Sequence, residues 1–278
     1  MQLGIRLHDT VELSLEERLE NVYQQGFQCV HLALKKVITE YSVENTALTP
    51  GFAIYLKKLF AKQDIDIAVL GCYLNLATPD KEVLEKTMDT YMANIRFASI
   101  LGCGVVGTET GAPNTEYKTV PECRSEEALN TFITNIRPIV KYAEIMGVIV
   151  AIEPVLNHIV YNSQRARQVL DTIHSPNLQI ILDPVNLLGM ENYENREAVI
   201  AEAIELLGKD TAVVHIKDCV VDGENLRSVA AGTGIMNYES LIRFMKNDKP
   251  FIHATLEDTI PQNAVAARKY IQELWDKM

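Results

Sequence analysis

Eight short apolar runs, each followed by a longer segment of helical pattern, recur along this 278-residue chain. The runs are Gln2–Leu7, Cys29–Leu34, Ile65–Asn75, Val105–Thr110, Val148–Glu153, Leu178–Asp183, Ala212–Lys217 and Phe251–Glu257. They are nearly continuous in Val, Ile and Leu, whereas a strand with one wet face would alternate apolar and polar residues. The pattern therefore predicts parallel strands covered by helices. Helices are predicted at Ser14–Gln25, Pro79–Ile100, Ser125–Met146, Ser163–Ile173, Arg196–Leu207, Tyr238–Lys246 and Pro261–Lys277. Ser14 and Glu17 have the spacing of a capping box, Ser125 suits an N-cap and Pro261 a first helical turn. Gly102, Gly147 and Gly208 fall near predicted helix ends.

Repeating units of about 35 residues match a strand–helix building block. No linker or shift in composition divides the chain. The expected architecture is thus α/β, one domain spanning residues 1–278, a single (β/α)8 TIM barrel. A doubly wound open sheet is the rival. It favours a Gly-rich dinucleotide loop after the first strand, where this chain reads Leu7-His8-Asp9-Thr10.

Composition narrows the function classes. Hydrophobic residues at 47% and charged residues at 23% suit a packed globular core and exclude disordered or fibrous architectures. A net charge of −11 without a basic stripe argues against nucleic acid as a partner. Five widely spaced cysteines with no C-x-x-C argue for a reducing compartment. The first residues carry no basic n-region with an apolar h-region, and no apolar run approaches the length of a membrane span. The expectation is a cytoplasmic protein acting on a small molecule, with no membrane partner.

The last four predicted strands end alike. They finish Ile152-Glu153-Pro154, Leu182-Asp183-Pro184, Val214-His215-Ile216-Lys217-Asp218 and Leu256-Glu257-Asp258. Side chains alternate faces along a strand. In each of the four, one face is wholly apolar and can pack on helices. The other carries Glu153, Asp183, His215 or Glu257 and would point into the barrel. TIM barrels place their chemistry at the C-terminal ends of the strands, so these four groups would converge at one mouth. Three carboxylates cannot crowd together without a cation, because each raises the pKa of the others. Oxygen donors with one imidazole suit a single divalent ion: Mn²⁺, Mg²⁺, Co²⁺ or Zn²⁺.

These strand ends, with Asn186 and the later Gly232-Thr233-Gly234, resemble the sugar phosphate isomerase/epimerase superfamily, the xylose-isomerase-like TIM barrels, over essentially the whole chain. The resemblance implies one divalent metal held by Glu153, Asp183, His215 and Glu257. It also implies a carbohydrate substrate, a sugar, sugar phosphate or related hydroxy-ketone, bound through a carbonyl and neighbouring hydroxyl. Glu153 and Glu257 would serve as catalytic residues that remove and return a proton α to the carbonyl. Association of copies into a homo-oligomer is common among such relatives. The chain departs from the ketose 3-epimerases at Asn186, where they carry histidine. It departs again after Glu153, where it reads Pro154-Val155-Leu156-Asn157-His158 without their arginine and second glutamate. Inosose-type dehydration or isomerisation, and a non-catalytic metal-dependent carbohydrate-binding barrel, remain alternatives. An apurinic endonuclease, with three zinc ions on many histidines, fits poorly with six histidines and an acidic charge.

Substrate contacts are expected from Lys217, His158, Asn186 and Glu109. Lys217 equally suits an ion pair with a strand-end carboxylate. Asn75 has the same standing as Glu109. His253 is expected as a core histidine, Gly232–Gly234 as a tight turn, and Trp275 as a packing anchor.

Overall fold

The computed structural model describes residues 1–278. Its strands are β1 (Gln2–Arg6), β2 (Cys29–Leu32), β3 (Asp66–Gly71), β4 (Val105–Thr108), β5 (Ile149–Ile152), β6 (Leu178–Leu182), β7 (Thr211–Ile216), β8 (Asp218–Asp222), β9 (Asn225–Val229) and β10 (His253–Leu256). Its helices are α1 (Leu15–Gln24), α2 (Leu34–Val37), α3 (Pro50–Lys62), α4 (Lys81–Leu101), α5 (Glu126–Met146), α6 (Ser163–Ile173), α7 (Arg196–Leu207), α8 (Glu239–Asp248) and α9 (Ala264–Lys277). Eight parallel strands close in the order β1-β10-β7-β6-β5-β4-β3-β2, the expected (β/α)8 barrel.

Every predicted strand overlaps an observed barrel strand, but several of the observed strands are shorter than expected. The third stops at Gly71, and Asn75 falls in the loop beyond. There its side-chain amide bonds the carbonyls of Ala112 and Asn114, so it organises a loop. The eighth begins at His253, leaving Phe251 outside and largely exposed. Ser14 and Glu17 form the predicted capping box, and Ser125 caps α5 through the Ala128 N–H. Gly102 and Gly147 end their helices in the left-handed conformation, whereas Gly208 remains right-handed and runs into a short 3-10 turn. Pro261 lies in a turn before α9 and does not open the helix.

Besides the single-turn helix α2, two larger features have no counterpart in the sequence reading. One is α3, capped by Thr49 with Pro50 in its first turn. The other is the antiparallel β8–β9 ribbon, inserted between β7 and α8 outside the barrel.

The main core lies between barrel and helices. A second, small cluster fills the barrel itself: Val69, Ala151, Ile181 and Val213. Glycine is required among them at Gly107. A Cβ there would stand 2.6 Å from Val69 Cγ2 and 2.7 Å from Ile181 Cδ1. Ala151, Ile181 and Val213 each precede a polar group by two residues on the same face. The interior packing therefore continues upward into Glu153, Asp183 and His215.

Candidate metal centre

All four strand-end groups meet at the C-terminal mouth. One donor atom from each of Glu153, Asp183, His215 and Glu257 lies within 4.8 Å of every other, and all four residues are buried. Backbone bonds that continue the sheet fix two of them: the Glu153 N–H donates to Thr108 O at 2.8 Å and the Glu257 N–H to Ile216 O at 3.0 Å. Asp183 Oδ1 accepts from the N–H groups of Val185 and Asn186, which holds the turn after β6.

His215 is central. Its Nδ1 lies 3.3 Å from Glu153 Oε1 and 3.2 Å from Glu257 Oε1, so the two glutamates flank it. Burial pulls its pKa down, but the two glutamates outweigh burial and raise it to about 9. Glu153 is pushed up, by burial and then by repulsion from Glu257 and Asp183, against the pull of His215. Burial also pushes Glu257 up, yet His215, His31, Lys217 and Arg6 hold it well below the usual carboxylate range.

These residues fit a divalent cation. The donor set is three carboxylates and one imidazole, gathered in a buried space where like charges repel. Asp183 Oδ2 is met by the Lys217 ammonium at 2.8 Å, and His215 Nδ1 faces Glu153 Oε1 and Glu257 Oε1 at 3.3 and 3.2 Å. A cation among these oxygens and Nδ1 would offset the repulsion between the carboxylates.

The second-rank residues divide. Lys217, on the same side as His215, reaches the centre. Its Nζ lies 2.8 Å from Asp183 Oδ2, 3.4 Å from Glu257 Oε2 and 3.8 Å from Asp258 Oδ2. Burial would lower its pKa, but those carboxylates raise it, so Lys217 stands as a fixed positive charge. Asn186 donates from Nδ2 to Glu153 Oε1 at 2.7 Å and so orients that glutamate. Glu109 and His158 line the cavity above. Glu109 Oε2 accepts from the Tyr117 hydroxyl at 3.1 Å and lies 3.6 Å from His158 Nδ1. His253 is not a core histidine: it sits partly exposed at the lower rim, 3.5 Å from Asp66. Gly232–Gly234 form a turn whose Gly232 N–H is taken by Asp218 Oδ2. Trp275 is partly buried against the core with Lys246 over its ring.

The cavity at the mouth, about 290 Å³, is also lined by Arg6, His8, His31, Lys36 and Tyr73, none of which the sequence reading selected. His31 is buried, stacks on His215 with ring centroids 5.3 Å apart, and has its Nδ1 3.5 Å from Glu257 Oε1. Burial pulls its pKa to about 4 despite Glu257. The missed signal was present. The strand-end rule, applied to the first two strands as well as the last four, selects Arg6, His8 and His31.

A family profile described as xylose isomerase-like TIM barrel matches residues 19–274. No curated protein sequence matches significantly. Among solved structures, the chain is similar to the IolI protein with a bound zinc atom, at 18% identity and a TM-score of 0.76, covering 100% of this chain and 99% of that one. It is also similar to D-psicose 3-epimerase with D-tagatose from Clostridium cellulolyticum H10, at 15% identity and a TM-score of 0.75, covering 99% of each chain. A third is the probable 3-DHS dehydratase AsbF of Bacillus anthracis, at 16% identity and a TM-score of 0.76, covering 98% of this chain and 99% of that one. At such identities the likeness speaks for the fold.

Proposed function

The chain belongs to the xylose isomerase-like TIM-barrel family, and from that premise we propose that it is a divalent-metal-dependent isomerase or epimerase of a small carbohydrate or related hydroxy-ketone. The observation that carries the reading is the buried convergence of Glu153, Asp183, His215 and Glu257 on one point at the barrel mouth. These four residues would hold the ion. A divalent cation supplies Lewis acidity there, polarising a substrate carbonyl and acidifying the adjacent C–H.

The chain's own groups then act on the proton. Glu153 and Glu257 both line the cavity at the mouth, where the reacting carbon would lie between them. One carboxylate removes the proton and the other delivers one, general acid–base work worth about 10²–10⁴-fold. Asn186 orients Glu153. Lys217 offsets the excess of negative charge and offers its ammonium to an oxygen of the substrate. Glu109 and His158, with polar atoms on the cavity wall, hold hydroxyls further along the substrate.

The test is proton exchange in D2O, followed by NMR with Mn²⁺-loaded protein and a panel of ketoses. Stereospecific incorporation of deuterium α to the carbonyl is expected, lost in Glu153→Gln and Glu257→Gln. If both variants turn over like the wild type, the assignment fails. Inosose-type dehydration starts with the same proton removal, and a product lighter by one water would assign that outcome. Saturable sugar binding without exchange across the panel would mark a non-catalytic barrel.

A further inference from the structure

The barrel closes where its first strand meets its last, and the residues leaving that seam are unusually tied. Ile5 of β1 pairs with Leu256 of β10, so Arg6 and Glu257 emerge side by side although 251 residues apart. The Arg6 guanidinium spreads over three carboxylates. Its Nη2 donates to Asp258 Oδ1 at 2.8 Å, its Nε to Asp9 Oδ2 at 2.9 Å, and its Nη1 lies 3.4 Å from Glu257 Oε2. A planar fork of five N–H donors can do this, whereas the point charge of a lysine cannot.

Asp258, the next residue after Glu257, has a φ of +52°. That left-handed conformation is costly for a residue with a Cβ, and such strain persists only where surrounding contacts hold it. The Asp258 carboxylate faces Arg6 and, at 3.8 Å, Lys217. Relaxation of residue 258 would swing the chain away from the seam immediately after Glu257. The Glu257 N–H is anchored to Ile216 O on its other side. The direction of its side chain therefore depends on the turn that follows.

We propose that Arg6 is a positioning residue: by clamping Asp258 across the closing seam, it holds the strained turn after β10 and aims the Glu257 carboxylate into the metal centre. The inference rests on Glu257 being a metal ligand and proton-transfer group, as proposed above. It makes the first strand of the chain part of the machinery at the last.

The clamp is tested with Arg6→Met, Asp258→Asn, the double variant and Arg6→Lys. Asparagine tolerates the left-handed conformation as well as aspartate does, so Asp258→Asn removes the charge and leaves the backbone allowed. Four quantities are read: Mn²⁺ affinity by calorimetry, kcat and KM for solvent exchange, and Tm. Asp258→Asn should weaken Mn²⁺ binding and lower kcat by about tenfold, the loss of one charge-assisted hydrogen bond, with KM changed much less. Arg6→Met, which also releases Asp9 and Glu257, should lose at least as much. The double variant should be no worse than Arg6→Met alone, because that variant has already lost the contact with Asp258. Arg6→Lys should restore part of the Mn²⁺ affinity. Wild-type Mn²⁺ affinity and kcat in the single variants, or losses that multiply in the double, would overturn the clamp. If the wild-type protein binds no Mn²⁺ and exchanges no substrate, the proposed function itself fails. The clamp is then decided by Tm: losses that do not add support it, and additive losses overturn it.

Discussion

Glu153 and Glu257 are the same residue type at equivalent strand ends, both buried, yet their surroundings differ. Glu153 has Asn186 as its donor and is pushed up by burial and nearby carboxylates. Glu257 is ringed by Arg6, His31, His215 and Lys217 and is held down. Asn186 stands where the ketose 3-epimerases that the sequence resembles carry histidine, and its geometry shows what it contributes here: one short hydrogen bond that fixes a catalytic candidate. Asn186→Ala should therefore lower the exchange rate about 10- to 100-fold, the usual cost of removing a partner that orients a ligand, with little change in Tm. Steady-state kinetics beside a thermal melt checks it, and an unchanged rate would show that Glu153 needs no such support. The identities of these side chains could be read from the strand ends. Their partners could not, because Arg6, Lys217 and Glu257 come together only across the closed sheet.

Among the elements, the strands were legible because both of their faces are covered, leaving Val/Ile/Leu runs too short for a helix and set between helical segments. Boundaries were less so. The third run continues through Cys72 to Asn75 in sequence, but pairing ends at Gly71, where the chain turns off over the mouth. α3 escaped notice because its pattern, Pro50-Gly51-Phe52-Ala53-Ile54-Tyr55, exposes Ile54 and Tyr55 and so lacks a clean apolar stripe. The pairing of β2 with β3 and of β6 with β7 each shifts by a residue, at Val30/His31 and at Ile180/Ile181, which no single-strand pattern reveals. Packing inside the barrel gives a prediction at this scale. Gly107→Ala places a methyl against Val69 and Ile181 in a space already closed. It should destabilise the protein by about 1–3 kcal/mol, the usual cost of overpacking, as read by urea unfolding. A neutral result would mean that the interior layer yields more readily than the distances imply.

Across the whole molecule, burying ionisable groups in one mouth couples the site to stability. His31 is held neutral with a pKa of about 4, below the usual imidazole value of about 6.5. Between those values the unfolded chain binds a proton that the folded protein does not. This contribution is thus complete above about pH 6.5 and is lost as pH falls through about 4. The wild-type Tm should drop over that interval, and His31→Asn should drop less steeply. Parallel melting curves measured from pH 7 to 4.5 decide the matter: equal slopes would mean that His31 is not held neutral.

The sequence by itself determined the covered parallel strands, the barrel they close into and four of the polar groups at its mouth. Hydrophobic periodicity and the alternation of side chains are local properties, and a chain states them in order. The tertiary structure alone decided that Lys217 lies against Asp183, that His31 stacks on His215, and that Arg6 reaches Asp258 from the far end of the chain. These contacts depend on strand register, barrel closure and the backbone angle of one residue. None of those is written in the spacing of the residues that make the contacts.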